Sequence, residues 1–352
     1  MKLITKLNTK ILLVATLMLF FGTINSVLAQ EETIKEDPLA GLSISGSIDT
    51  YFHSGDADKG SSVAPATAFA NLPGFSLGMI NLIGAYEKGK SGFVADVVIG
   101  PRGAEAVFGS GPAQNLVNQL YAYLNVSEKV TLTIGNFNTF LGYEVISPTA
   151  NYNYSTSYMF SYGPFSHTGF KADIDLGGGL SFMTGVFNAT DATEFNPDGT
   201  YTAGAQFGYS GDSGSAYLNL LLDEDYMQID LTTGWDVSDK AYLGFNGTYA
   251  SADVNGKSGT HFYGAALYAQ LSTSEAFSIG ARAEYFADEN GVAITGGESI
   301  IDITLSANYK TGNLTIIPEV RLDSGSTEEF MDSDLKATKT LNTFMLAAVY
   351  SF

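Results

Sequence analysis

Nine acids and four bases in this chain fall on one parity of its alternating segments. Asp49, Asp96, Asp173, Asp175, Asp230, Asp236, Glu284, Asp302 and Glu319 share that parity with Lys171, Arg282, Lys310 and Arg321. Side chains two apart on a strand lie on one face, and their neighbours lie on the other. At 301–310, Ile301, Ile303, Leu305, Ala307 and Tyr309 oppose Asp302, Thr304, Ser306, Asn308 and Lys310. A Lys or Arg turned into hydrocarbon at mid-depth costs about 2–4 kcal/mol, and Asp or Glu less. The charged parity therefore belongs on a wet face and the apolar one on lipid. The chemistry of such a face is electrostatic: it concentrates ions of one sign and repels the other. The acid excess predicts a modest cation preference. Charges paired with one another in a plugged interior are the competing reading.

Groups for covalent chemistry are sparse. The histidines are His53, His167 and His261, and no GxSxG elbow accompanies them. They read as loop or rim residues, with His167 shaping the start of its strand; a barrel hydrolase is the weaker alternative. Asp56-Ala57-Asp58-Lys59-Gly60 begins like a calcium loop but lacks the third ligand and the spaced glutamate, so no metal site is assigned. Without cysteine there is no disulfide, thiolate metal site, cysteine nucleophile or lipoprotein anchor. Nothing implies a cofactor.

The segment 140–164 is unusual in another way. Its one charge is Glu144, and its polar residues are otherwise neutral: Asn151, Asn153, Ser155, Thr156 and Ser157. Tyr143, Tyr152, Tyr154, Tyr158, Phe160 and Tyr162 need surfaces to pack on. This composition predicts a loop folded inward as a constriction, carried by Tyr143, Glu144, Asn151, Tyr152, Asn153, Tyr154, Ser155 and Ser157. Glu144 would then pair with Arg282 or Lys171. The tyrosines could instead stack sugars, or the loop could form a lid above the barrel.

The elements that must position these residues are strands of about ten to fourteen residues. They are expected near 42–52, 74–86, 91–100, 115–126, 130–139, 165–175, 180–189, 200–210, 215–222, 226–236, 241–251, 259–271, 276–287, 298–310, 313–322 and 340–352. Sixteen is an even number, as single-chain bacterial barrels require. Pro318 predicts a bulge or early strand end, since proline removes a ladder hydrogen bond. Tight turns alternate with long connections, the asymmetry of short periplasmic turns and long external loops. The external loops hold eighteen acids against Lys59, Arg102, Lys257 and Lys336, with Lys339 at the margin of the last.

The chain ends support export. Lys2, Lys6 and Lys10, an apolar run from Ile11 to about Ile24, and Val27-Leu28-Ala29 form a signal peptide over 1–29. A lead-in spans 30–41 and the transmembrane β-barrel 42–352. Beyond the leader no run of about 18 apolar residues occurs, so no membrane helix is expected. With 39 Gly, 20 Tyr, 23 Phe and one Trp, the composition is all-β. Removing the leader leaves 14 bases and 37 acids, a net of −23, which argues against nucleic acid as a partner. Phe344, Leu346, Tyr350 and Phe352 share one face of the last strand. This pattern resembles the signal by which the barrel-assembly machinery recognises the closing strand of Gram-negative outer-membrane barrels.

From Gln119 to Asn188 the resemblance becomes specific. Ile134-Gly135-Asn136-Phe137 is followed by Gly142-Tyr143-Glu144, then by Asn151-Tyr152-Asn153-Tyr154-Ser155-Thr156-Ser157 and Gly163-Pro164-Phe165-Ser166-His167-Thr168-Gly169. This order is similar to that of the OmpL-like outer-membrane porins. Relatives often place a basic residue between the two serines, where this chain has Thr156. The resemblance implies a passive, non-enzymatic, water-filled channel for small hydrophilic solutes in the bacterial outer membrane. It would sit in lipid and lipopolysaccharide, as a monomer or a homo-oligomer. General porins of sixteen strands fold their third external loop inward, and 140–164 is the third here. An adhesive or structural barrel is the alternative.

Overall fold

The structure is a computed structural model describing residues 39–57, 72–107, 116–194, 196, 199–254, 257–289 and 299–352. The leader, almost all of the lead-in, and Asp58-Lys59-Gly60 of the calcium-like run lie outside the described residues.

In chain order the elements are β1 (Leu42–Gly55), β2 (Gly74–Lys88), β3 (Ser91–Ile99), helix α1 (Pro101–Ala106), β4 (Val117–Ser127), β5 (Val130–Asn138), helix α2 (Tyr158–Tyr162), β6 (Ser166–Gly177) and β7 (Leu180–Phe187). Then come β8 (Thr202–Gly211), β9 (Gly214–Leu222), β10 (Tyr226–Ser238), β11 (Ala241–Val254), β12 (Lys257–Ser274), β13 (Phe277–Glu289), β14 (Ser299–Thr311) and β15 (Leu314–Gly325). The pair β16 (Phe330–Met331) and β17 (Ala337–Thr338) forms a small hairpin before β18 (Thr340–Ser351). The other sixteen strands pair antiparallel with their neighbours, and β18 closes the barrel on β1 from Ser47↔Ser351 to Gly55↔Thr343. Closure leaves no unpaired edge, which hydrocarbon would not tolerate. No described helix is long and apolar enough to cross a membrane.

Alternation sets the two faces. Ile301, Ile303 and Leu305 are 49%, 52% and 49% exposed, while Asp302, Thr304 and Ser306 between them are 0%, 1% and 1% exposed. Ile44, Leu82, Ile134, Leu218, Leu243 and Leu267, from other strands, add to the same exposed belt. Phe344, Leu346, Tyr350 and Phe352 also point outward, 42–60% exposed.

One end of the barrel carries seven two-residue turns, at 89–90, 128–129, 178–179, 212–213, 239–240, 275–276 and 312–313. At four of them a register shift next to the turn lets the strands twist into so short a connection.

Three expectations are corrected. Pro318 neither bulges nor ends its strand. Ser306↔Glu319 and Tyr309↔Ile316 keep one register across it, and Pro318 pairs with Leu346 on the other side. The ladder to β14 is merely interrupted opposite the missing N–H. Second, β15 continues to Gly325, which carries Asp323 into the wall rather than the mouth. Third, Arg102 is not a mouth residue. Helix α1 folds it into the interior, where it is 2% exposed.

Candidate functional site: the loop through the barrel

The connection between β5 and β6 runs inward. Its contacts reach β10 through β15 and β1, on the far side of the barrel from its own strands, so it crosses the interior. Gly142 N–H donates to Asp230 on β10 at 3.0 Å. Tyr143 stacks on Tyr268 of β12, centroids 4.0 Å apart and planes 18° apart. Its hydroxyl lies where a Cβ on Gly244 would be.

Glu144 Oε1 takes Nη1 of Arg282 at 2.7 Å, and its other oxygen accepts Ser157 N–H at 2.7 Å. Arg282 also donates to Asp302 Oδ2 through Nε at 3.0 Å and Nη2 at 2.7 Å, and to the Ser155 carbonyl at 2.7 Å. A planar guanidinium suits this fork, because its donors diverge in one plane. Lys171, the other candidate partner, is elsewhere: it pairs with Asp173 at 2.7 Å.

Two wall carboxylates hold the loop's main chain. Glu319 accepts the N–H groups of Tyr154 (2.6 Å) and Ser155 (3.0 Å). Glu284 accepts those of Tyr158 and Met159, both at 2.8 Å, at the first turn of α2. Ser157 caps that turn, its Oγ accepting Phe160 N–H at 3.0 Å. Arg321 donates to the Thr156 carbonyl (2.7 Å) and pairs with Asp323 (2.9 Å) and Asp302 (3.2 Å). The Arg102 guanidinium sits over the Tyr154 ring, 4.5 Å from its centroid, and donates to its carbonyl at 3.2 Å. Tyr154 in turn donates its hydroxyl to Asp49 at 2.5 Å.

Asn153 donates to Ser306 at 2.6 Å, and Asn308 donates to the Tyr152 carbonyl at 3.0 Å. Asn151 instead braces the loop internally, bridging the N–H and carbonyl of Val145. Burial pushes the Tyr152 and Tyr162 hydroxyls up to about 12, and Tyr143 and Tyr154 higher still.

The predicted interior charges divide into two groups. Asp49, Asp96, Asp230, Arg282, Glu284, Asp302, Glu319 and Arg321 are all buried. Asp96 is held by the amides of Asn81, Asn118 and Gln119 rather than by a cation. The loop or neighbouring polar side chains cover these eight, so they do not face water directly as the alternation alone implies. Lys171, Asp173, Asp175, Asp236 and Lys310 stay accessible, on the same parity but toward the tight-turn end. Of the loop tyrosines, Tyr154 and Tyr158 are wholly buried, while Tyr143, Tyr152 and Tyr162 are half-buried.

The sequence reading missed Arg102, Asp323 and three interior glycines. Gly244, Gly264 and Gly280, on β11, β12 and β13, are the seats for Tyr143, Met159 and Tyr152. Glycine on the interior parity of three successive strands is a readable signal for something packed against the wall. At Gly280 a Cβ would come within 3.0 Å of both Cβ and carbonyl O of Tyr152. Gly280→Val should push the loop toward the open interior, costing about 1–3 kcal/mol as overpacking does. Single-channel recordings should then show lower conductance; an unchanged value would mean the seat is immaterial.

The loop leaves space on two sides. One cavity of about 350 Å³ lies beside β4–β6. Another of about 320 Å³ lies between 148–152 and β12–β15, with Lys310 on its wall.

A closed sixteen-stranded barrel, apolar outside, polar inside and crossed by its third long loop, defines an outer-membrane porin. The chain belongs to the family described as "Putative beta-barrel porin-2, OmpL-like", which matches residues 41–352. No curated protein matches the chain. Among solved structures it is similar to an anion-selective porin from Comamonas acidovorans, with 12% identity, 88% of this chain and 99% of the other covered, and TM-score 0.63. It is similar to the outer membrane channel DcaP of Acinetobacter baumannii, at 12% identity, 92% and 100% coverage, and TM-score 0.61. It also resembles a loop-deletion mutant of OmpT, an outer membrane protein of Vibrio cholerae, at 14% identity, 88% and 99% coverage, and TM-score 0.60. At these identities the likeness extends to the fold alone.

Proposed function

We propose that the barrel is a passive channel for small hydrophilic solutes, narrowed by the loop 139–165 and modestly selective for cations. The carrying observation is that loop's course: it leaves β5, crosses the interior and is fixed to the wall from β10 to β15. A segment pinned by Glu284, Glu319, Arg282 and Arg321 stays in place while solute passes. The apolar belt would lie in lipid and lipopolysaccharide. Assembly as a homo-oligomer is part of the proposal.

The selectivity rests on fewer groups than the parity count suggests. Asp173, Asp175 and Asp236 against Lys171 and Lys310 leave a small negative excess that water can reach. In a tenfold KCl gradient the reversal potential should have the cationic sign. It should fall well short of the roughly 59 mV of a perfectly selective pore, and shrink at high salt as the Debye length approaches 3 Å. A zero or anionic potential would remove the cation preference from the proposal. Absence of any conductance would remove the channel.

A channel also suits the histidines better than an enzyme does. His167 lies among Phe137, Phe140 and Phe187 and shares a hydrogen bond with Thr139 at 3.0 Å. Among the described residues its Nδ1 meets no acid to orient it as a base. His261 pairs with Glu289 on the outer face. Lipase assays of His167→Ala and His53→Ala against the unaltered protein test the rival: an esterase activity lost in either variant would favour it.

A further inference from the structure

Asp96 on β3 and Asp230 on β10 are 2% and 1% exposed, yet neutral groups hold them where other wall acids meet a base. Asp49 lies against Arg102, and Asp302 and Asp323 against Arg282 or Arg321. Asp96 instead accepts the side-chain amides of Asn81, Asn118 (2.7 Å) and Gln119 (3.0 Å). Asp230 accepts those of Asn219 (3.0 Å) and Asn246 (2.6 Å), the Thr232 hydroxyl (2.9 Å) and Gly142 N–H (3.0 Å). Every one of these groups donates. Both sites therefore suit a carboxylate, whereas a neutral acid would bring a hydrogen with no acceptor to meet it. Donors stabilise the charge without cancelling it. No Lys, Arg or His stands on β9, β10 or β11. On β2, β3 and β4 the only one is Lys88, the exposed last residue of β2. Gln119 also lines the 350 Å³ cavity beside β4–β6, and Thr232 is half-buried on the interior parity. Each charge thus stands one side chain behind the interior surface.

We infer that Asp96 and Asp230 are fixed charges that set the cation preference of the channel; this rests on the channel reading above and adds two covered carboxylates to its accessible charges. A charge need not touch an ion to act on it. A low-dielectric wall screens it less than water does and directs its field into the lumen. At 0.1 M salt the Debye length is about 10 Å, longer than one amide side chain. Lys171 and Asp173, by contrast, offset each other in an ion pair at 2.7 Å. Hydrogen bonds to both oxygens keep Asp96 and Asp230 from turning toward any such partner. Stitching of strands is the competing role, since the amides around Asp96 come from β2 and β4. That role needs no charge at the centre. A cage of donors alone specifies an anion there, because a neutral Asn would turn its own NH2 group toward another donor.

The test is the reversal potential of Asp96→Asn, Asp230→Asn and Asn118→Ala in planar bilayers, under a KCl gradient. Near 0.1 M salt each aspartate substitution should lower the cation-to-anion permeability ratio roughly twofold, the effect of one charge acting about 10 Å away through water. Near 1 M, where the Debye length approaches 3 Å, the difference from the unaltered protein should vanish. Asn118→Ala loosens the cage but keeps the charge, and should leave the ratio as it was. Near-ultraviolet dichroism and the heat-modified gel shift establish that each variant is folded. A cationic potential unchanged in both folded aspartate variants would overturn the assignment and leave the channel standing. An equal loss in Asn118→Ala, or a difference that persists at 1 M, would also overturn it, because either marks a change of shape rather than of charge. A zero or anionic potential in the unaltered protein would overturn the cation preference and this assignment with it. Absence of KCl conductance would overturn the channel itself.

Discussion

Deleting residues 152–158 should raise single-channel conductance by roughly twofold or more and enlarge the sugar exclusion limit in liposome swelling. This stretch contributes the N–H groups taken by Glu319 and Glu284 and the carbonyls taken by Arg282, Arg321 and Arg102. Without it the loop loses its hold on β14 and β15 and keeps only Tyr143 on Tyr268, Glu144 on Arg282 and Met159 on Glu284. The charges left behind would be costly in a dry core. Here water fills the vacated lumen and solvates them, so the barrel itself should survive. A folded deletion variant with the original conductance and cut-off would show that the loop packs beside the path of solute rather than across it.

Arg282→Ala should be the most destabilising single substitution in the wall. The guanidinium is 1% exposed and joins Glu144, Asp302 and the Ser155 carbonyl. Its removal leaves two buried carboxylates without that cation, a defect worth about 3–5 kcal/mol. Arg282→Lys should recover only part of this, because an ammonium cannot present three donors in a plane. Lys310→Ala, at an exposed site on the same face, should cost at most about 0.5 kcal/mol. Urea unfolding of the three variants in detergent or vesicles measures the order; equal midpoints for Arg282→Ala and Lys310→Ala would refute it.

Much of this architecture was legible because the controlling pattern is local. Asp302 between Ile301 and Ile303 declares its side of the wall without reference to any distant residue. The alternation of two-residue turns and long loops is equally local, and so is the shortage of charge in 140–164. What could not be read is which groups meet. Arg282 and Glu144 are 138 residues apart, and nothing at either position names the other. Arg102 looked like a mouth base because it follows a strand end, yet a six-residue helix turns it inward. The hairpin of β16 and β17 escaped because two residues cannot show alternation. Parity also says which side a charge faces, but not what covers it. The wall acids on the wet parity are met largely by amides and guanidinium groups rather than by water.

The anchorage works mainly through the peptide groups of the loop. Glu319, Glu284, Arg282, Arg321 and Arg102 grip N–H and C=O, which every residue except proline supplies in full. An aperture hung this way can be re-lined without being re-hung. Val145, Thr149 and Ala150, whose side chains are exposed and make none of these anchoring contacts, can be exchanged while the grip persists. A lineage, or an engineer, could therefore change what the opening admits one side chain at a time, with the suspension beneath it held constant.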